Sequence, residues 1–106
     1  MTTSTFEFDM GRLGTQMATR PNGQAFLNEV LFALETYHTV VLDFADRVPT
    51  PSFADQCVGG LAMHLGLESF KDRVKLKNVA ESARPLVRHV IISRSEMHKE
   101  QNLAHS

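Results

Sequence analysis

The 106-residue sequence contains a single cysteine and no long apolar segment. One cysteine cannot form a disulfide within the chain or build a thiolate metal cage, so the composition fits the reducing cytoplasm. No apolar run approaches the roughly 18 residues that cross a bilayer, and the first residues lack the basic and apolar segments of a secretory signal. We therefore expect a cytoplasmic protein that neither spans nor binds a membrane.

An excess of either charge is also absent, since 11 Lys and Arg residues balance 12 Asp and Glu residues. The formal net charge of -1 provides no basic surface for a phosphate backbone. The five histidines show no pair at i, i+4, and no glycine-rich phosphate loop follows a predicted strand. We expect no nucleic-acid partner, no metal ion and no cofactor.

The remaining composition is that of one soluble domain, with 42% hydrophobic and 22% charged residues. Single domains usually have about 100 to 150 residues, and this hydrophobic content is enough to form a core. We assign residues 1–106 to one domain and expect only the tail at about residues 102–106 to fray.

Hydrophobic periodicity predicts strands and helices in alternation. The predicted strands are residues 5–9, a return strand at 15–18, 39–44 and 73–77, and the predicted helices are residues 22–37, 51–66 and 82–101. The run 39–44 is apolar almost throughout and should be central, whereas 73–77 alternates apolar residues with cations, as edge strands do. This order predicts an α/β domain with a small mixed sheet of about four strands and helices packed on it.

Polar side chains follow the ends of the predicted strands. Ligands of open α/β sheets bind at the carboxyl ends of the strands, so this rim is a candidate binding site. Its expected members are Asp43, Asp46, Thr50 and Ser52, together with Arg20, Asn78 and Glu81. A carboxylate that ends a buried strand needs a partner, and we expect Arg20 to pair with Asp43. The alternative is that Asp43 only braces the loop that follows it.

The second predicted helix begins at Thr50-Pro51, an N-cap followed by proline at the first helical position. Cys57 lies on its apolar stripe, more than one turn from the N-terminus, which favours core packing over nucleophilic chemistry. Phe53 lies on the same stripe and should be buried, although it is also a candidate anchor for a partner. Gly59 and Gly60 are expected to let this helix approach the sheet closely.

The segment Val40–Gly60 resembles the signature of the STAS-like domain of unknown function, a bacterial relative of the sulphate-transporter and anti-sigma-factor-antagonist domains. The resemblance is carried by Leu42-Asp43-Phe44, Pro51-Ser52-Phe53-Ala54-Asp55 and Gly59-Gly60, with supporting similarity over most of residues 5–97. It implies a mixed sheet of about four strands backed by helices, in agreement with the predicted order of elements.

The resemblance also implies a switch, because the antagonist domains are phosphorylated on a serine at the start of the second helix. Ser52 occupies that place. A phosphate there would meet unpaired N–H groups and the positive end of the helix dipole. The chain departs from the antagonist motif, since Pro51, Ser52, Phe53 and Ala54 stand where that motif has an acid, two hydroxyls and a glycine. The alternative is that Ser52 only satisfies backbone donors beside the Thr50 cap.

The implied function is that of a non-enzymatic regulatory module, which docks a partner protein through Thr50–Asp55. The expected partner is a kinase-like ATPase or a sigma-regulating protein. Two other classes stay open: a small-ligand or nucleotide sensor at the strand-end rim, and a small enzyme using Asp43, Ser52 or Cys57, for which no triad pattern is present. A homodimer also stays open, because the last strand and last helix could offer a symmetric surface.

Overall fold

The computed structural model describes residues 4–12 and 18–104, the side chains of residues 100–104 excepted. The elements, in chain order, are β1 (Thr5–Asp9), α1 (Arg20–Thr36), β2 (Thr39–Asp43), α2 (residues 51–65), α3 (Leu67–Arg73), β3 (Val74–Lys77), a 3₁₀ turn (Glu81–Ala83) and α4 (Arg84–Ala104). This alternation confirms the predicted α/β class.

The three strands form a parallel sheet in the order β1-β2-β3. Strand β2 is central, as its apolar run predicts, and β3 lies at one edge of the described sheet. The expected return strand falls mostly on residues 15–17, outside the described residues, and Ala18 is not in a strand. The described sheet therefore has three parallel strands, where four strands in a mixed sheet were expected.

Helix α1 is fixed at both ends by side chains. The Thr19 hydroxyl accepts a hydrogen bond from the Asn22 N–H at 3.2 Å and caps the N-terminus. At the other end, the Arg73 guanidinium donates to the carbonyl oxygens of Leu34 and Tyr37, at 2.7 and 3.2 Å. The last carbonyl oxygens of a helix have no partner within the helix, so the hydrogen bonds from Arg73 stabilise the C-terminal end of α1. Residue 73, predicted in the last strand, is instead the final residue of α3.

Helix α2 is one continuous helix built from three segments. They are the α-helical Pro51–Ala54, the π-helical Asp55–Gly59 and the α-helical Gly60–Leu65, and right-handed backbone angles continue through both joins. Gly66 ends the helix with a φ of 81°, in the left-handed region that favours glycine. Sequence periodicity did not predict the π turn, because the turn changes the hydrogen-bond register without needing a distinct residue type. Such turns occur frequently at functional sites.

Helix α3 was not predicted. Only Phe70 of its seven residues is buried, so its hydrophobic period is too short to recognise. Helix α4 confirms the last predicted helix, with Pro85 in its first turn, where proline is tolerated. No helix within the described part of the chain is both long and apolar enough to span a membrane.

Glycines allow α1 and α4 to pack closely against α2. A Cβ on Gly60 would lie 2.7 Å from Leu27 Cδ2 of α1, and a Cβ on Gly59 would lie 2.9 Å from Arg94 Cγ of α4. Real Cβ atoms essentially never come this close to another atom, so a side chain at either position would force Leu27 or Arg94 to shift. The expectation that Gly59 and Gly60 let α2 approach the sheet closely is wrong, because the residues they approach belong to α1 and α4.

Candidate functional site

The carboxyl ends of the strands bring several of the expected rim residues together. Asp43 Oδ1 accepts hydrogen bonds from Asn78 Nδ2 at 3.0 Å and from the Ala45 N–H at 2.9 Å. The Asp46 N–H donates to the Asn78 carbonyl oxygen at 2.8 Å. Asp43, Asp46 and Asn78 therefore form one bonded unit, which joins the loop after β2 to the residue after β3. We call these three residues the strand-end rim.

Asp43 is held in its ionised form. The hydrogen bond from Asn78 lowers the pKa of Asp43 below its ordinary value of 3.8, and the Ala45 N–H and the Lys77 charge act in the same direction. Desolvation acts in the opposite direction without reversing the shift. An ionised carboxylate accepts hydrogen bonds and does not supply a proton at neutral pH. Asp43 thus braces the loop, as the alternative reading from the sequence proposed.

The loop after β2 has an unusual backbone. Ala45 and Asp46 have φ values of 53° and 61°, and Asn78 across the rim has a φ of 55°. Residues with a side chain rarely adopt this left-handed region, although Asn and Asp do so more readily than alanine. Strained backbone of this kind is often found at functional sites, where surrounding bonds hold it in place.

Arg20 does not join the strand-end rim. Its Nη1 lies 3.1 Å from Asp55 Oδ2 and donates to Gln56 Oε1 at 2.9 Å. The expected pairing of Arg20 with Asp43 is therefore wrong. Arg20 opens helix α1, and Gly23 lets that helix lie against the start of α2, since a Cβ there would be 3.1 Å from the Phe53 carbonyl oxygen.

Arg94 is a second cation beside Asp55, and the sequence analysis did not select it. Its Nη1 lies 3.9 Å from Asp55 Oδ2, and its side chain is only 19% exposed. Its Nε is buried and has no hydrogen-bond partner among the residues that the structure describes. The missing side chain of Gly59 leaves the space in which Arg94 lies. The feature of the sequence that could have indicated Arg94 is its position beside the apolar stripe of the last helix.

The start of α2 has the predicted cap. Thr50 Oγ1 accepts a hydrogen bond from the Phe53 N–H at 3.3 Å, and Pro51 follows at the first helical position. Phe53 is 0% exposed, so it belongs to the core and cannot anchor a partner. Ser52, by contrast, is exposed to solvent.

We call residues 45–52 the corner, because they span the loop after β2 and the first two residues of α2. It contains the large apolar residue Val48, which is 58% exposed, whereas the neighbouring Pro49 is buried. Sequence reasoning missed Val48 because a single apolar residue in a loop has no periodic pattern. The corner therefore presents Val48 and Ser52 near one another in sequence, on either side of a buried proline and a capping threonine.

Cys57 and Glu81 are the other candidates for chemistry. Burial raises the pKa of the Cys57 thiol to about 12, so the thiol stays protonated and is not a nucleophile. Glu81 is exposed in the 3₁₀ turn. Within residues 4–12 and 18–104, no three His, Cys, Asp or Glu side chains form a group that could hold a metal ion.

Residues 22–84 match the family model described as the STAS-like domain of unknown function. This range covers more than half of the 106 residues, so the chain belongs to that family, as the resemblance of Val40–Gly60 implied. The match includes β2, the corner and all of α2. No curated protein and no solved structure matches the chain significantly.

Proposed function

We propose that the protein is a non-enzymatic regulatory module that docks a partner protein through Thr50–Asp55 and the corner that leads into it. The observation that carries this proposal is the 58% exposure of Val48 on a loop whose two ends are fixed. Protein–protein contacts commonly have an apolar centre within a polar rim, and Val48 beside the exposed Asp46, Arg47 and Ser52 fits that arrangement.

Backbone hydrogen bonds hold the base of the corner in place. The Phe44 N–H donates to the Lys77 carbonyl oxygen at 2.9 Å, and the Arg47 N–H donates to the Phe44 carbonyl oxygen at 3.0 Å. Phe44 itself is completely buried. A loop that is already ordered loses little conformational entropy on binding, which favours a specific contact.

Ser52 is the proposed control point. Its side chain is exposed in the first turn of α2, where a phosphate would add a charge of about -1.5 to -2 close to the positive end of the helix dipole. Asp55, three residues further on, is already paired with Arg20 and lies near Arg94. Because these cations compensate the charge of Asp55, its carboxylate repels a phosphate on Ser52 less strongly. Phosphorylation would change the docking surface while leaving the fold intact.

Two observations support a role without catalysis. The Cys57 thiol is buried and protonated, and the Asp43 carboxylate is occupied by hydrogen bonds within the strand-end rim. The proposed partner is a kinase-like ATPase or a sigma-regulating protein, the partners of the anti-sigma-factor-antagonist domains that the family resembles. A location in the bacterial cytoplasm belongs to the same proposal.

Affinity capture from a lysate of the native host tests the docking surface. Tagged wild-type protein is compared with Val48→Asp and with the control Phe32→Asp, since Phe32 is 71% exposed on helix α1. We expect one specific partner to be retained by the wild type and by Phe32→Asp, and to be depleted about tenfold by Val48→Asp. The absence of any specific partner, or equal retention by Val48→Asp, contradicts the proposal.

Intact-mass analysis of protein from the native host tests the switch separately. A phosphate should be present on the wild-type chain and absent from Ser52→Ala. If the captured partner is present and no phosphate is found, the Ser52 switch is refuted while the docking surface stands.

A further inference from the structure

A groove of about 530 Å³ is lined by residues of α3, of β3 and the segment after it, and of α4. The lining is mainly aliphatic, and we call Leu76, Val87 and Ile91 its floor. The groove is outside the corner, although Asn78 contributes both to its wall and to the strand-end rim. Pockets of roughly 300–1,000 Å³ with apolar walls are the usual size for small ligands.

The two helical walls are built in the same way. On α3, Leu67 and Lys71 are four residues apart and share one face, and on α4 the same spacing joins Arg84 to Arg88 and Arg88 to Ile92. Each wall thus offers aliphatic carbon to the groove and a cation beside it. Lys71, Arg84 and Arg88 are exposed, so their charged groups lie at the solvent side.

The charge of the groove is of one sign. None of these three cations forms an ion pair with a carboxylate among the described residues, and no Asp or Glu is among the lining residues. This concentration of positive charge occurs in a chain whose net charge is -1. Three lining cations together with an aliphatic floor are complementary to a molecule with an anionic head and a hydrocarbon tail.

The composition and size of the groove fit an anionic amphiphile better than a nucleotide or a second protein. The lining contains no aromatic side chain on which a nucleotide base could stack. Ten residues line the groove, whereas a stable protein interface uses about 20–30 residues on each side. A second copy of the chain would bring the same three cations, which would repel those already present.

We propose that this groove binds a single-chain anionic amphiphile of the fatty-acid class. The carboxylate lies among Lys71, Arg84 and Arg88, and the hydrocarbon chain lies along the floor formed by Leu76, Val87 and Ile91. This site is independent of the docking proposal, because it shares no residue with Thr50–Asp55 or with the corner.

Calorimetric titration of the purified full chain with decanoate, below its critical micelle concentration, tests the site. Decylammonium serves as the ligand with the same chain and the opposite charge. We expect saturable binding of decanoate, no comparable binding of decylammonium, and amide chemical-shift changes at Leu76, Val87 and Ile91. Arg88→Gln should weaken binding about two- to fivefold, the usual effect of removing one exposed charge pair.

Ile92→Glu should weaken decanoate binding about tenfold. The new carboxylate repels the carboxylate of decanoate, and the apolar contact that Ile92 makes at the wall is lost. Ile92 is 47% exposed, so this change is compatible with folding, and Phe32→Glu is the matched control on another surface. Equal binding of both amphiphiles, or equal loss in Phe32→Glu, overturns the proposal. Two further outcomes also overturn the proposal. Binding only to vesicles that contain phosphatidylglycerol assigns the groove to a membrane. A dimer that Ile92→Glu dissociates, without any binding of decanoate, assigns the groove to a second copy of the chain.

Discussion

Asp9 and Asp43 lie opposite each other in register at the carboxyl ends of β1 and β2. Each carboxylate accepts a hydrogen bond from the backbone N–H two residues further on, at 3.0 Å from Gly11 and 2.9 Å from Ala45. Two similar side-chain turns therefore end adjacent strands. The turns also contact each other, since a Cβ on Gly11 would lie 2.7 Å from Ala45 Cβ.

Gly11→Ala should lower the free energy of unfolding by about 1–3 kcal/mol, because the added methyl group overlaps Ala45. Ala45→Gly alone should change it by less than about 1 kcal/mol, since relief of the left-handed φ is offset by a more flexible unfolded chain. The double variant should recover most of the loss, as measured by urea denaturation. A double variant as unstable as Gly11→Ala would contradict contact between the two turns.

Asn78→Gly should raise the pKa of Asp43 towards its ordinary value of 3.8, because it removes the hydrogen bond with the largest effect. Glycine is the appropriate substitution, since residue 78 has a φ of 55°. Carbon-detected NMR titration measures the change, and Lys77→Gln should produce a smaller rise because the Lys77 charge has a weaker effect. An unchanged Asp43 pKa in Asn78→Gly would refute the role of this bond.

The lowered pKa of Asp43 also fixes the direction of a stability change. A carboxylate with a lower pKa in the folded protein than in the unfolded chain stabilises the fold at pH values above its unfolded pKa. This contribution is lost as the pH falls from about the ordinary value of 3.8 through the lowered folded value. The acid-induced loss of stability in this range should be smaller in Asp43→Asn than in the wild type.

Gly23→Ala tests how α1 is positioned against α2. Alanine favours helix by about 1 kcal/mol, but its Cβ would lie 2.9 Å from Gln56 Cβ and 3.1 Å from the Phe53 carbonyl oxygen. We expect a net destabilisation of about 1–3 kcal/mol in urea denaturation. Ser93→Ala, at an exposed position of α4, is the control and should change stability by less than about 0.5 kcal/mol. A stabilising Gly23→Ala would show that the helices are not in close contact there.

The sequence predicted those features that local patterns determine. The apolar run of β2 identified the central strand, and Thr50-Pro51 identified the start of α2, because burial on both faces and a helix cap each require particular residue types. The family resemblance came from the same segment. Helix α3 escaped prediction because one buried residue, Phe70, cannot establish a period.

Pairings between distant residues were not predictable in the same way. Arg20 was expected beside Asp43, but the contact of α1 with α2 places it beside Asp55, 35 residues away in the chain. Nothing in the local sequence indicates which carboxylate a helix packing will bring near an arginine. The exposure of Val48 also depends on tertiary packing, since it lies beside the buried Pro49 in the same loop.

Ser52→Glu should leave stability within about 1 kcal/mol of the wild type, because residue 52 is exposed near the positive end of the α2 dipole. Ser95→Glu is the matched contrast. Ser95 is only 3% exposed and donates to the Ile92 carbonyl oxygen at 2.9 Å, so a charge there should destabilise the protein by several kcal/mol. Thermal denaturation distinguishes the two. Unfolding of Ser52→Glu would exclude phosphorylation as a switch that leaves the fold intact.

The docking surface is tested most directly by photo-crosslinking in the native host. A photoreactive amino acid replaces Val48 in one variant and Phe32 in the other, so that two exposed apolar positions on different surfaces are compared. We predict that the position 48 variant crosslinks to one specific protein and that the position 32 variant does not. Crosslinking of that protein from position 32 alone, or no crosslink from position 48, would contradict docking through the corner.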